Sequence, residues 1–210
     1  MIKITTPSII LSVASPNSGK TQFVKQIIRQ LLLDKELQYG FIFCNDQDDY
    51  LGYFNEHFIF DYNNFDEKIS EIIEFKNEYK DSKIFIILDD FISKININNK
   101  LLNHLFSTYR HLNISLFLCF QHINKINRLH RNCSNYLFLG KMNSLDSINC
   151  CYDIVCGFYS KKNDLFKDIQ NLKQYEFLVF DLKKNIKIKY KFNKLNNFYF
   201  DFKSIYQIKK

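Results

Sequence analysis

Five consecutive apolar residues, Ile84-Phe85-Ile86-Ile87-Leu88, stand between Lys83 and the acidic pair Asp89-Asp90. The run is too short for a buried helix, and no polar residue alternates with the apolar ones. A strand here must therefore be covered on both faces. Residues 114–120 (ISLFLCF) repeat the pattern, and 9–14, 39–44, 57–60, 136–139 and 177–181 are shorter runs of the same kind. Between them the apolar positions fall at helical spacing, as with Phe23, Val24, Ile27, Ile28, Leu31 and Leu32 within 21–33. Further helices are expected over 65–79, 101–109, 144–155 and 164–172. Strands alternating with helices predict an α/β fold: a mostly parallel sheet with helices on both faces. The end of the chain departs from this, because "FLVFDLKKNIKIKYKF" reads as two strands around Lys183-Lys184-Asn185, a C-terminal β-hairpin.

At 210 residues the chain is expected to form one domain, with a core over about 9–140 and helices plus the hairpin over 141–210. A hydrophobic fraction of 46%, with 17% aromatic residues, excludes a disordered protein. No apolar run approaches the roughly 18 residues of a membrane span, and the first apolar stretch reads as a buried strand rather than a secretory leader. A soluble, intracellular protein is expected. Six cysteines include no Cys-x-x-Cys pair and read as reduced core thiols; the alternative is a zinc site built on His130 and Cys133. The net charge of +7 permits a polyanionic partner without requiring one.

The string "SVASPNSGKTQF" ends as a phosphate-binding loop ends. In such a loop a tight strand-to-helix turn aims backbone N–H groups at phosphates, a lysine reaches the β/γ-phosphates, and a hydroxyl binds Mg²⁺. The candidate nucleotide-binding residues are Ala14, Ser15, Pro16, Asn17, Ser18, Gly19, Lys20, Thr21 and Gln22. Ala14 stands where the first glycine of the motif belongs, which matters only if that position needs positive φ. The competing reading is a chance Gly-Lys-Thr at a helix start.

Nucleotide hydrolysis needs a carboxylate near Mg²⁺ and a group to orient or deprotonate the attacking water. "KIFIILDDF" places Asp89 for the metal and Asp90 for the water at the carboxyl end of a buried strand, where open α/β sheets bind ligands. The alternative is that the pair caps the next turn. "ISLFLCFQH" ends a second buried strand in Gln121, placed to bond a γ-phosphate or the attacking water, or else an ordinary strand-end glutamine.

This order of motifs resembles the FtsK–HerA superfamily of DNA-pumping P-loop ATPases, of the ASCE or RecA-like kind. "STYRHLNISLFLCFQ" is similar to the Arg-His-x-Asn-[Ile/Val]-Ser…Gln block of the genome-packaging ATPases of poxviruses, giant DNA viruses and related virophages, and "INRLHRNCSNYLFLG" resembles the Arg-x-Asn segment that follows it. The likeness runs from about residue 9 to 140, and departs at Ala14 and in a short C-terminal region. It implies a ring, pentameric or hexameric, that uses ATP and Mg²⁺ to drive double-stranded DNA into a preformed capsid. A capsid or portal-vertex protein would be its partner, in the host cytoplasm or the virion. Lys20 and Thr21 would bind phosphate and Mg²⁺, Asp89 would support the metal, Asp90 would activate water, and Gln121 would sense the γ-phosphate.

Such rings complete each site with an arginine. Only four of the 29 Lys and Arg residues are arginines: Arg29, Arg110, Arg128 and Arg131. Arg110 and Arg131 fall in the two family-like blocks and are the candidates to act in trans, with Arg110 favoured; a structural salt bridge is the alternative for each. For DNA contact the candidates are "QHINKINRLHRN" (His122, Lys125, Arg128, His130, Arg131) and the terminal "KKNIKIKYKFNK", whose lysines would line one face of a strand. Edge-strand lysines that block unwanted pairing are the competing explanation. Rival functions are another DNA-transfer motor of a mobile element, a small-molecule kinase, and a nucleotide-binding assembly factor without turnover. The scarcity of arginine speaks against the kinase.

Overall fold

The computed structural model describes residues 3–91, 94–96 and 98–192. β1 (Ile9–Val13) leads over the glycine-lysine-threonine loop into α1 (Lys20–Leu33). β2 (Tyr39–Phe43), β3 (Ile59–Phe60), α2 (Phe65–Glu78) and β4 (Ile84–Asp89) follow. Next come α3 (Lys100–Thr108), β5 (Ile114–Phe120), the short α4 (Arg128–Asn132) and β6 (Tyr136–Leu139). α5 (Leu145–Val155) and α6 (Lys162–Gln170) precede β7 (Glu176–Asp181) and β8 (Ile186–Lys191).

The eight strands of the described residues form one sheet in the order β3-β2-β4-β5-β1-β6-β7-β8. Pairs from β3 through β6 are parallel; β6–β7 and β7–β8 are antiparallel. Every residue of β1, β4, β5 and β6 is buried, as continuous apolar runs require when both faces are covered. Phe23 of α1 stacks on Phe177 of β7 at 4.3 Å between ring centroids and meets Phe138 of β6 edge-on. Phe180, three residues further along β7 and so on the other face, packs against Phe158 and Tyr159 between α5 and α6.

Element boundaries follow from capping. Asn99 accepts from Leu102 N to open α3, and Ser144 accepts from Ser147 N to open α5. The strand expected over 57–60 shrinks to Ile59–Phe60, because Asn55 accepts from His57 N and winds Glu56–Phe58 into a 3₁₀ turn. α6 begins and ends two residues before the expected 164–172. The hairpin forms where the sequence places it: Asp181 Oδ1 accepts from Lys183 N and Lys184 N, and Asn185 takes the left-handed conformation (φ 55) that asparagine tolerates. Asn193 and Lys194, the end of the lysine-rich stretch, lie outside the described residues.

The position of β5 between β1 and β4 matters most for function. Val13 pairs with Phe120, and Cys119 with Asp89, so the next residues of three adjacent strands emerge together. Those residues are Ala14, Gln121 and Asp90.

Candidate active site

The loop after β1 is built around two left-handed residues, Asn17 (φ 58) and Gly19 (φ 91). Ala14 is not one of them, so the glycine missing from the motif is not needed for conformation. Ala14 is fully buried, donates its N–H to Phe120 O, and fits because its neighbour just past the end of β6 is Gly140. A Cβ on Gly140 would lie 2.7 Å from that of Ala14. Gly19 is constrained twice, by its φ and by Tyr175, whose Cδ1 would stand 2.5 Å from an added Cβ.

Lys20 is buried at the start of α1, and its Nζ lies 2.9 Å from Asp90 Oδ1 and 3.6 Å from Asp89 Oδ1. Burial alone would lower its pKa, but the two carboxylates outweigh it and hold the ammonium above its ordinary value. Thr21 Oγ1 and Tyr50 OH both donate to Asp89 Oδ2, at 3.2 and 2.7 Å. Gln121 Nε2 donates to Asp90 Oδ2 at 2.9 Å. Lys20, Thr21, Asp89, Asp90 and Gln121 thus form one bonded cluster, as the motifs anticipate. Asp90 sits at φ 53, a left-handed conformation uncommon outside glycine and asparagine that turns the chain off the end of β4.

Sequence reasoning missed three supports of this cluster. Tyr50 is completely buried, and burial followed by the Asp89 charge drives its pKa far up, so it stays a donor. Tyr62 OH lies 2.7 Å from both Phe43 O and Asp89 O, tying the ends of β2 and β4 together. Lys25, one helical turn beyond Thr21, donates to Asp49 O at 2.7 Å and lies over the Tyr53 ring at 3.8 Å. Burial lowers its pKa to about 8 against the opposing pull of Asp49 and Asp89. A usable signal existed for Tyr50: it follows the acidic Asp46-Gln47-Asp48-Asp49 at the carboxyl end of β2, beside the other ligand-bearing strand ends.

Residues 15–22, Asp49, Asp90, Gln121, Gln174 and Tyr175 enclose a cleft of about 530 Å³. Its chemistry fits a nucleotide triphosphate with a divalent cation. Asp89 Oδ1, Ser18 Oγ and Gln22 Oε1 are buried without a hydrogen bond, a set of unsatisfied oxygens at the mouth of a phosphate loop.

Arg110 and Arg131 lie elsewhere. They precede β5 and β6, at the opposite edge of the sheet, and line a common hollow of about 400 Å³ with Asn132, Ser134 and Lys183. Arg110 is exposed and its Nε donates to Tyr109 OH; Arg131 Nε and Nη1 are buried without a hydrogen bond. Neither forms an ion pair among the described residues. The basic stretch 121–132 is not one surface: His122 and Arg128 are exposed, whereas His130 is buried, stacked on Phe106 at 4.1 Å and bonded to Asn103. That placement removes His130 from any DNA-facing set; the Lys125 side chain lies outside the described residues. On β8, Lys187 pairs with Asp168 at 3.2 Å and Lys189 with Glu176 at 2.8 Å, so two lysines of the expected phosphate-binding face are already engaged.

A phosphate loop between a central parallel strand and its helix, facing an acidic strand tip and a glutamine on the strand between them, defines a P-loop NTPase. The chain belongs to the poxvirus A32 protein family, which matches residues 6–181. No curated protein sequence matches it significantly. Among solved structures it is similar to the genome packaging NTPase B204 of Sulfolobus turreted icosahedral virus 2. The complex with ATP-γS gives 17% identity and a TM-score of 0.67 over 88% of this chain and 96% of that one; the sulfate complex gives 16% and 0.70 over 90% and 98%. The cytoplasmic domain of the type VII secretion ATPase EccC of Thermomonospora curvata aligns at 12% identity and TM-score 0.62, over 88% of this chain and 25% of that one. No helix among the described residues is long and apolar enough to cross a membrane.

Proposed function

We propose that this chain, as a single ATPase domain, is an ATP-driven translocase of double-stranded DNA that packages a viral genome into a capsid. The observation that carries the reading is the bonded cluster of Lys20, Thr21, Asp89, Asp90 and Gln121 under the phosphate loop. Family membership and the B204 likeness supply its packaging context. The N–H groups of Gly19, Lys20, Thr21 and Gln22, where the loop opens α1, cradle the α- and β-phosphates, and Lys20 leaves Asp90 for the β/γ-phosphates. Thr21 and Asp89, with Oδ1 lacking a hydrogen bond, are the residues that would hold Mg²⁺. Bound there, Mg²⁺ would neutralise charge that develops on the phosphates. Asp90, released by Lys20, takes a proton from the attacking water, and Gln121 orients that water or the γ-phosphate. The chain works as a ring of five or six copies at a capsid or portal vertex, in the host cytoplasm or the virion, with Arg110 or Arg131 completing a neighbour's site.

Steady-state ATP hydrolysis, with and without long double-stranded DNA, tests the reading. Wild-type turnover should rise with DNA, and Lys20→Ala should abolish it while leaving the thermal midpoint within a few degrees. Turnover unchanged in Lys20→Ala would sink the site assignment. Turnover indifferent to DNA would point to a different ATPase role, and nucleotide binding without turnover to an assembly factor.

A further inference from the structure

The cleft has two poles set by strand order. Asp90 and Gln121 emerge from β4 and β5 on one side of β1, whereas Gln174 and Tyr175 arrive just before β7, two strands away on the other side. The first pole takes the γ-phosphate, so whatever is joined to the α-phosphate leaves toward the second. There the lining changes character: in a cleft otherwise walled by small or polar residues, Tyr175 presents a half-buried aromatic ring.

Its placement is firmly held. Tyr175 adopts φ 65, an uncommon conformation for a bulky side chain, and neighbouring bonds fix it. Phe192 N donates to Tyr175 O at 3.1 Å, and Lys173 N donates to Glu176 Oε2 at 2.9 Å. The ring edge rests on Gly19, which has no side chain to push it off, and meets Phe192 edge-to-face at 5.3 Å. The Tyr175 hydroxyl makes no hydrogen bond to the described residues. Beside it, the Gln174 amide reaches Asn17 O at 3.5 Å, close enough to the loop to exchange that weak contact for a ligand.

We propose that Tyr175 is the nucleobase platform of the site, stacking a purine on its open face, with the Gln174 amide beside the base edge. The inference rests on the nucleotide reading above and adds to it the residue that selects the base. Stacking favours purines through ring area, while a glutamine amide, with both a donor and an acceptor, bonds the edge.

The chain contains no tryptophan, which makes a direct test available. Tyr175→Trp installs a single indole, and ATP should quench its emission while tripolyphosphate, lacking a base, should not. Tyr175→Leu should weaken ATP binding about ten- to a hundredfold, the range set by loss of one base–aromatic stack, and leave tripolyphosphate affinity within about twofold. Tyr175→Phe should retain wild-type ATP affinity. Equal losses of ATP and tripolyphosphate in Tyr175→Leu would show that the ring only supports the loop and would overturn the proposal. Unchanged ATP affinity, or no quenching on saturation, would overturn it also. Wild-type protein that binds neither ligand would overturn the nucleotide reading along with it.

Discussion

Lys20 contacts both members of the acidic pair, so nucleotide entry exchanges one set of charge contacts for another rather than filling a bare cationic hole. The exchange depends on Asp89 staying in place when Lys20 leaves, and Tyr50 is what secures it. Its hydroxyl and Thr21 both bond Oδ2, which leaves Oδ1 beside Lys20 without a hydrogen bond. Tyr50→Phe removes a hydrogen bond to a charged group, about 1.5–3 kcal/mol. The Mg²⁺ concentration for half-maximal ATP hydrolysis should therefore rise by roughly tenfold or more, with metal-free nucleotide binding unchanged; an unaltered Mg²⁺ titration would show that Tyr50 only fills space. The residues of the bonded cluster were legible in sequence because each closes a strand or opens a helix within a known spacing. Tyr50 and Tyr62 were not, since they reach Asp89 from 39 and 27 residues away; the place of Tyr50 past the end of β2 marks it as near the ligand-bearing strand ends without marking its partner.

At the scale of elements, α1 joins the loop to the sheet and carries a charge into the interior. Its apolar face was legible from the spacing of Phe23, Val24, Ile27 and Ile28, all buried, but nothing in that spacing marks Lys25, which falls between them, as buried too. Only the fold around residues 47–54 shows it enclosed, with Asp49 O as its acceptor. Its pKa near 8 lies below the 10.5 of an unfolded chain, so between about pH 8 and 10.5 the unfolded state holds a proton the folded state has lost. Stability owed to this group therefore rises with pH through that window. Tyr50 and Tyr62, whose pKa values burial raises, act oppositely, yet they do so equally in a Lys25→Met variant. The thermal midpoint of wild type minus that of Lys25→Met should increase from pH 7.5 to pH 10; a constant difference would mean that Lys25 titrates normally. Strand boundaries were legible wherever β-runs are continuous, as in β5 and β6. The β3 region was not, because a single Asn55 cap converts half of an apolar run into a 3₁₀ turn.

For the whole molecule, the placement of arginine decides how many copies make an active site. Arg110 and Arg131 stand at the starts of β5 and β6, whereas the phosphate loop lies past the end of β1. A seven-residue strand at about 3.3 Å per residue separates the two edges by roughly 20 Å, beyond an arginine's reach within one subunit. If Arg110 or Arg131 acts on the γ-phosphate, as proposed, it would come from a second copy, through a head-to-tail contact that joins opposite edges of the sheet, the kind of contact that can close into a ring. Such contacts make complementation possible. Lys20→Ala and Arg110→Ala should each be inactive alone, yet mixed subunits bring an intact Lys20 from one variant against an intact Arg110 from the other. Equal mixing should restore up to about a quarter of wild-type DNA-independent hydrolysis, the fraction of head-to-tail interfaces that are fully equipped. No recovery with Arg110→Ala, but recovery with Arg131→Ala, would transfer the role to the guanidinium that now lies partly buried with two nitrogens lacking a hydrogen bond. Recovery with neither would mean that the hollow they share serves some contact other than the neighbour's nucleotide.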